Sequence, residues 1–226
     1  MQDTKHLFFD LDGTILDSSA GIYASIAYSL EKMGREPLTP AVLRTFIGPP
    51  LLDSYLNLGM TPAEAEQGVT FYREYYRQGA LFQAEIYEGV PDLLTQLAKE
   101  NRLYIATSKP EVFAKEMLEK FALADHFQGI YGADLAGERN SKAKVLAYAL
   151  DGAGNVDKNK SWMIGDRKHD MTGARTNQLP GIGVLWGFGD RAELEAAGAT
   201  HCVATPEELL AYYEGLKLGT CFQSND

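Results

Sequence analysis

Apolar residues along the chain fall into two kinds of run. Short blocks, HLFFD (6–10), LYIAT (103–107), HFQGIY (126–131), SWMIG (161–165) and GIGVL (181–185), read as strands. The stretches between and after them, 111–121, 142–150, 169–177, 190–197 and 206–213, read as helices. Strands alternating with helices of roughly 10–15 residues predict βαβ units and a parallel sheet covered on both faces. The blocks at 103–107 and 161–165 lack clean alternation, as expected of strands buried on both sides. The predicted class is therefore α/β, with a Rossmann-like parallel sheet.

The stretch 18–84 breaks this rhythm and holds no convincing strand. Ile22, Ile26 and Leu30 recur every four residues, which suits one face of a helix running to about Met33. Thr39 before Pro40 and Thr61 before Pro62 each place a capping hydroxyl ahead of a proline at the first helical position. Glu64, three residues after Thr61, completes a capping box. Gly48-Pro49-Pro50 must separate two short helices. The expected organisation is an α/β core made of 1–17 and 85–226, with a small all-helical insert at 18–84. No repeat or low-complexity tract appears, and 217–226 reads as a loose tail.

Composition narrows the picture. The chain has 226 residues, 45% of them hydrophobic and 23% charged, which suits an ordinary globular protein of one domain or one domain carrying a smaller one. Lys plus Arg number 21 against 31 Asp plus Glu, a formal net charge of -10. That balance argues against nucleic acid as a partner, because such binding depends on neutralising phosphates. A small anionic substrate would need a local cation. Cys202 and Cys221 have no C-x-x-C spacing, and one His201–Cys202 pair is too few ligands for zinc. Two reduced cysteines suit a cytoplasmic protein. The N-terminus, with one Lys and a short apolar stretch at 7–9, does not read as a signal peptide. No run approaches the ~18 apolar residues of a membrane span.

Candidate chemistry gathers at strand ends. Asp10 and Asp12, in Phe9-Asp10-Leu11-Asp12-Gly13-Thr14, follow the first strand, where ligands bind in open α/β sheets. Two carboxylates at i and i+2 can divide their roles, one attacking as nucleophile while the other handles protons. A turn or hairpin is the plainer reading of Asp-Gly. A calcium loop fails, since its sixth position is Ile15 and its twelfth Gly21. Asp166 follows a second buried strand, and Asp170 lies one helical turn on, able to support it from the same face. Hard oxygen ligands from several strand ends are what Mg²⁺ requires. Thr107 and Ser108 follow a third strand and offer donors to phosphate oxygens. Taken by itself, Ser108 reads as a helix cap before Pro110. Lys142 stands near a helix start, where the dipole disfavours a cation, so it is a candidate for serving an anion.

DLDGT, ATSK, SKAKVL and GDRKHD, in this order, resemble the four motifs of the haloacid dehalogenase superfamily, and the resemblance spans essentially the whole chain. The insert at 18–84 is similar to that family's C1-type cap. The resemblance implies that Asp10 is the nucleophile that becomes an aspartyl phosphate. It makes Asp12 the general acid for the leaving group and then the base for water. Thr107 and Ser108 would bind the phosphoryl group, and Lys142 would neutralise charge around it. Mg²⁺ would be held by Asp10, the Asp12 backbone carbonyl and Asp166, with Asp170 in support.

Within that family, Asp12 favours phosphoryl transfer over dehalogenation. Phosphonate cleavage needs a cap amine, and the only lysine in 18–84 is Lys32, on an ordinary helical stretch. The pattern, with Phe46-Ile47-Gly48-Pro49-Pro50-Leu51, looks closest to the phosphoglycolate phosphatase and 5′-nucleotidase-like branch. The expected activity is hydrolysis of a small phosphorylated metabolite by a monomer or small homo-oligomer. A phosphosugar mutase and a non-turnover phosphorylation switch remain as alternatives. Arg44 and the Gly48 turn are the candidates for substrate choice. The cap tyrosines Tyr23, Tyr28, Tyr55, Tyr72, Tyr75 and Tyr76 read as helix packing, with a stack on a nucleobase as the other option.

Overall fold

The computed structural model describes residues 4–154 and 156–217. Cys221 and the expected tail beyond residue 217 lie outside the described residues.

Six parallel strands form the central sheet: β1 (His6–Phe9), β4 (Arg102–Pro110), β5 (Phe127–Ala133), β6 (Ser161–Gly165), β7 (Gly181–Val184) and β8 (His201–Val203). Their order across the sheet is β5-β4-β1-β6-β7-β8. The chain thus winds outward from β1 in both directions, and the crevice at the carboxyl ends of β1 and its neighbours is the place such sheets bind ligands.

The period-2 alternation of a strand explains how both faces are covered. Leu7 and Phe9 of β1, with Leu103 and Ile105 of β4, join one apolar cluster. It includes residues of α5 (Val90–Leu97), α6 (Glu111–Lys120) and α10 (Pro206–Lys217). Phe8, Tyr104, Ala106 and Met163 point the other way, with α7 (Lys142–Ala153) and α8 (Lys168–Thr176). A small third cluster joins Met171 of α8 and Cys202 to Leu194 of α9 (Arg191–Ala197).

The helical insert stands between two short strands, β2 (Leu16–Asp17) and β3 (Glu85–Ile86), which pair antiparallel and hold its entry and exit together. Between them run α1 (Ser19–Lys32), α2 (Pro40–Arg44), α3 (Leu51–Asn57), α4 (Pro62–Arg77) and a 3₁₀ turn at Ala80–Phe82. Ile22, Ile26 and Leu30 are buried, as their spacing predicts. The Thr39 hydroxyl accepts from the Val42 N–H, and Thr61 and Glu64 form the reciprocal capping box. Tyr55 is fully buried and shares a hydrogen bond with the Ser29 hydroxyl, while Tyr28 stacks on Tyr75 at 4.9 Å. These three tyrosines follow the packing reading.

Gly21 lets the first turn of α1 approach the chain leaving the insert. Its N–H donates to the Gln83 carbonyl at 3.1 Å, and a Cβ there would lie 2.0 Å from the Ala80 carbonyl oxygen. Gly21→Ala should therefore destabilise the protein by about 1–3 kcal/mol through overpacking. This outweighs a helix-propensity gain of about 1 kcal/mol. A lower urea midpoint at unchanged slope is expected, whereas an equal or higher midpoint would show that the contact relaxes without strain.

Candidate active site

Asp10, the residue immediately after β1, is 3% exposed and lies at the crevice. Its Oδ1 accepts the Leu11 N–H at 2.7 Å and faces Lys142 Nζ at 2.8 Å. Lys142 is the first residue of α7, aimed back at the sheet. The same ammonium reaches Asp170 Oδ1 at 2.8 Å and the Ala106 carbonyl at 3.0 Å. Burial is the largest influence on this lysine and opposes its charge. The two carboxylates together prevail and hold its pKa above the ordinary lysine range.

Asp166, directly after β6, is 0% exposed. Its carboxylate accepts the Phe188 N–H at 2.8 Å and the Thr14 hydroxyl at 3.3 Å. The backbone packs so closely around it that side chains are excluded. A Cβ on Gly13, whose φ is +88°, would lie 2.2 Å from Asp166 Oδ2, and one on Gly187 would lie 2.6 Å from it. Asp170 accepts the Arg167 N–H at 3.0 Å, which fixes the first turn of α8.

Oxygen atoms of Asp10, Asp166 and Asp170 lie within 4.8 Å of one another, and all three residues are buried. Burial, followed by the Lys142 charge pulling down and the Asp170 charge pushing up, leaves Asp10 with a raised pKa. Burial and then repulsion from Asp170 and Asp10 push Asp166 well above the usual carboxylate range. Two of these three buried carboxylates, Asp10 and Asp170, thus share the Lys142 ammonium, and Asp166 lies beside them without it. A set of hard oxygens short of positive charge fits a divalent cation such as Mg²⁺.

Beside this cluster a cavity of about 510 Å³ opens between the sheet and the insert. Asp10, Asp12, Thr107, Ser108 and Lys109 line its floor, with Gly48, Tyr72 and Tyr76 among the residues above. Ser108 is not a helix cap. Pro110 occupies the position before α6, and the buried Ser108 Oγ has no hydrogen-bond partner in the protein, so its donor is available to a ligand. The Thr107 hydroxyl oxygen accepts the Lys109 N–H at 3.2 Å. Asp12 is held by Lys109 Nζ at 2.8 Å and by the Ser18 hydroxyl at 2.5 Å.

The structure brings together Asp10, Lys142, Asp166 and Asp170, and it places Asp12, Thr107, Ser108 and Gly48 on the cavity wall. Arg44 is the exception. Its guanidinium turns to the loop after β7, where Nε donates to the Phe188 carbonyl at 2.9 Å and the group lies 5.5 Å from the Phe188 ring centre. It is outside the cavity lining. Sequence reasoning also missed that loop, Gly187-Phe188-Gly189, and the pairing of Lys109 with Asp12. Two glycines flanking one aromatic residue were the available signal for a close backbone approach.

Comparison with known proteins identifies the family. Residues 7–184 match the family of haloacid dehalogenase-like hydrolases. A 5′-nucleotidase of Pseudomonas aeruginosa is 41% identical over 201 residues, covering 88% of this chain and 90% of its own. A tyrosine-protein kinase, PtkA, of Mycobacterium tuberculosis is 36% identical, covering 90% and 70%. A phosphoglycolate phosphatase of Neisseria gonorrhoeae is 30% identical, covering 96% and 95%. The crystal structure of a predicted phosphatase from Clostridium acetobutylicum superposes with a TM-score of 0.90 at 38% identity, covering 93% of this chain and 98% of that one. The chain belongs to the haloacid dehalogenase-like hydrolase family, among its phosphatases.

Proposed function

We propose that this protein is a Mg²⁺-dependent phosphatase that hydrolyses a small-molecule phosphate monoester through a phosphoryl group carried on Asp10. The observation that carries the reading is the shortage of positive charge at the strand ends, where Asp10 and Asp170 share Lys142 and the neighbouring buried Asp166 is held by the Thr14 hydroxyl and the Phe188 N–H. Asp10 and Asp166, with the Asp12 backbone carbonyl, would hold the metal, and Asp170 would support it. When bound, the ion supplies positive charge against the phosphoryl oxygens and so lets a carboxylate approach a dianion.

The residues then divide the work. A carboxylate oxygen of Asp10 attacks phosphorus while the bond to the ester oxygen breaks, and that oxygen takes a proton from the Asp12 carboxyl. Water next attacks the same phosphorus and gives its proton to Asp12. The bond to Asp10 breaks, restoring its carboxylate and releasing phosphate. Lys142 keeps Asp10 oriented and adds charge where it develops. Thr107 and Ser108 hold the phosphoryl oxygens, for which the unpartnered Ser108 hydroxyl is suited. The insert acts as a cap, with 18–84 as its extent, and excludes water from the site.

The cavity also bears on substrate size. Pockets of ~300–1,000 Å³ take ligands of many heavy atoms. At about 510 Å³, with Phe46, Tyr72, Tyr76 and Phe113 in its wall, this one suits a nucleoside monophosphate better than a two-carbon phosphoglycolate.

Phosphate release from an aryl phosphate should require Mg²⁺ and stop with EDTA. Asp10→Asn should abolish it, and Asp12→Asn should lower kcat/KM by about 10²–10⁴-fold. Turnover that survives EDTA or Asp10→Asn would refute the assignment. Across a panel of phosphoglycolate, nucleotides and phosphosugars, nucleotides should have the highest kcat/KM.

Arg44→Ala should leave that ranking unchanged. Because Phe188 also supports Asp166, the variant should instead weaken Mg²⁺ binding by about tenfold for every substrate alike. A changed ranking would return Arg44 to substrate selection.

A further inference from the structure

Lys109 stands at the end of β4 and is 8% exposed, yet none of the steps above uses it. Its ammonium lies 2.8 Å from Asp12 Oδ2 and donates to Tyr76 Oη at 2.7 Å, with the nitrogen 5.1 Å from the centre of the Tyr76 ring. Tyr76 belongs to α4 of the insert and is 2% exposed. It is held by Tyr72, stacked at 5.2 Å, by Phe113 edge-on at 5.6 Å, and by its own hydroxyl donating to Met117 Sδ at 3.8 Å. The other Asp12 oxygen, Oδ1, accepts from the Ser18 hydroxyl at 2.5 Å, and Ser18 is the residue from which α1 starts. Both oxygens of the acid/base carboxylate are therefore tied to the insert, one through its entry and one through its last long helix.

We propose that Lys109 is a positioning residue that couples the aim of Asp12 to the seating of the cap by clasping Tyr76 and Asp12 together. A lysine serving only to bind phosphate would keep its donors for the ligand. Two of the three N–H donors of Lys109 are engaged by Tyr76 and Asp12 instead. With the cap seated, the carboxyl of Asp12 is directed toward the leaving-group oxygen. With the clasp open, Tyr76 withdraws, and the Lys109 ammonium that fixes Asp12 Oδ2 loses the hydrogen bond that holds it in place. This proposal rests on the assignment of Asp12 as the proton donor.

The test compares substrates whose leaving groups differ in their need for a proton. A nitrophenyl phosphate departs with little help, whereas an alkyl phosphate depends on the acid, and kcat/KM reports this first phosphoryl transfer. Lys109→Met should lower kcat/KM for the alkyl ester at least about tenfold more than for the nitrophenyl ester. Tyr76→Phe removes only the hydroxyl and should show a smaller loss with the same selectivity. The double variant should be no worse than Lys109→Met, the non-additivity expected of one connected unit. Lys109→Arg should restore part of the alkyl activity.

Equal losses on both esters, or a raised KM at unchanged kcat, would overturn the proposal and make Lys109 a phosphate-binding residue. If Lys109→Met does not fold, the selectivity of Tyr76→Phe alone decides, and its absence overturns the coupling. Asp12→Asn without leaving-group selectivity, in an enzyme that still needs Asp10, would instead refute the role given to Asp12.

Discussion

The ammonium of Lys142 lies between Asp10 and Asp170 at 2.8 Å from each, and the rest of the site depends on it. Burying three carboxylates without compensation is prohibitive, since even a paired buried ion loses several kcal/mol of hydration. One lysine offsets part of this and leaves the cluster anionic. Replacing such groups by well-packed apolar side chains is often neutral or stabilising, so stability alone does not account for their presence. Under the proposed function, the remaining need for positive charge suits the cluster to a divalent cation at the place where a phosphate dianion would meet a carboxylate.

Polar bridges between the insert and the core are placed with the same economy. Arg44 bonds the Phe188 carbonyl, and the N–H of that residue supports Asp166. Arg167, next to Asp166, donates to the Ile47 carbonyl in the insert and pairs with Glu193 at 2.8 Å. Lys109 joins Tyr76 to Asp12. Each bridge ends at, or one residue from, a carboxylate of the site. Movement of the insert would consequently be felt at Asp12 and Asp166, the residues to which the proposed function assigns proton and metal, so closure of the insert would there do more than exclude water.

Much of this was legible from sequence, for identifiable reasons. Strand ends in a parallel sheet converge on one edge, so Asp10, Thr107 and Asp166 share a crevice once the βαβ pattern is recognised. Lys142 stood out because a lysine at a helix start opposes the dipole, and its burial against two carboxylates explains why it is tolerated. The elements missed were those with weak local patterns. β8 has three residues, the first of them exposed, too few for a period to appear. α5 begins at Gly89 and Pro91 and buries Val90, Leu93, Leu94 and Leu97, a face that is clear only once it is seen against the sheet. Arg44 was misplaced because the direction of a long side chain depends on a loop distant in sequence. Lys109 was quoted in its motif without a role, because neither of its partners is near it in the chain.

Quenching the enzyme in acid during turnover, then digesting it and locating the phosphoryl group by mass spectrometry, tests the central claim most directly. The account predicts Mg²⁺-dependent phosphorylation of the peptide carrying Asp10, absent from Asp10→Asn. Turnover without that adduct under rapid quenching, or a stable phosphoryl group on another residue, would contradict it.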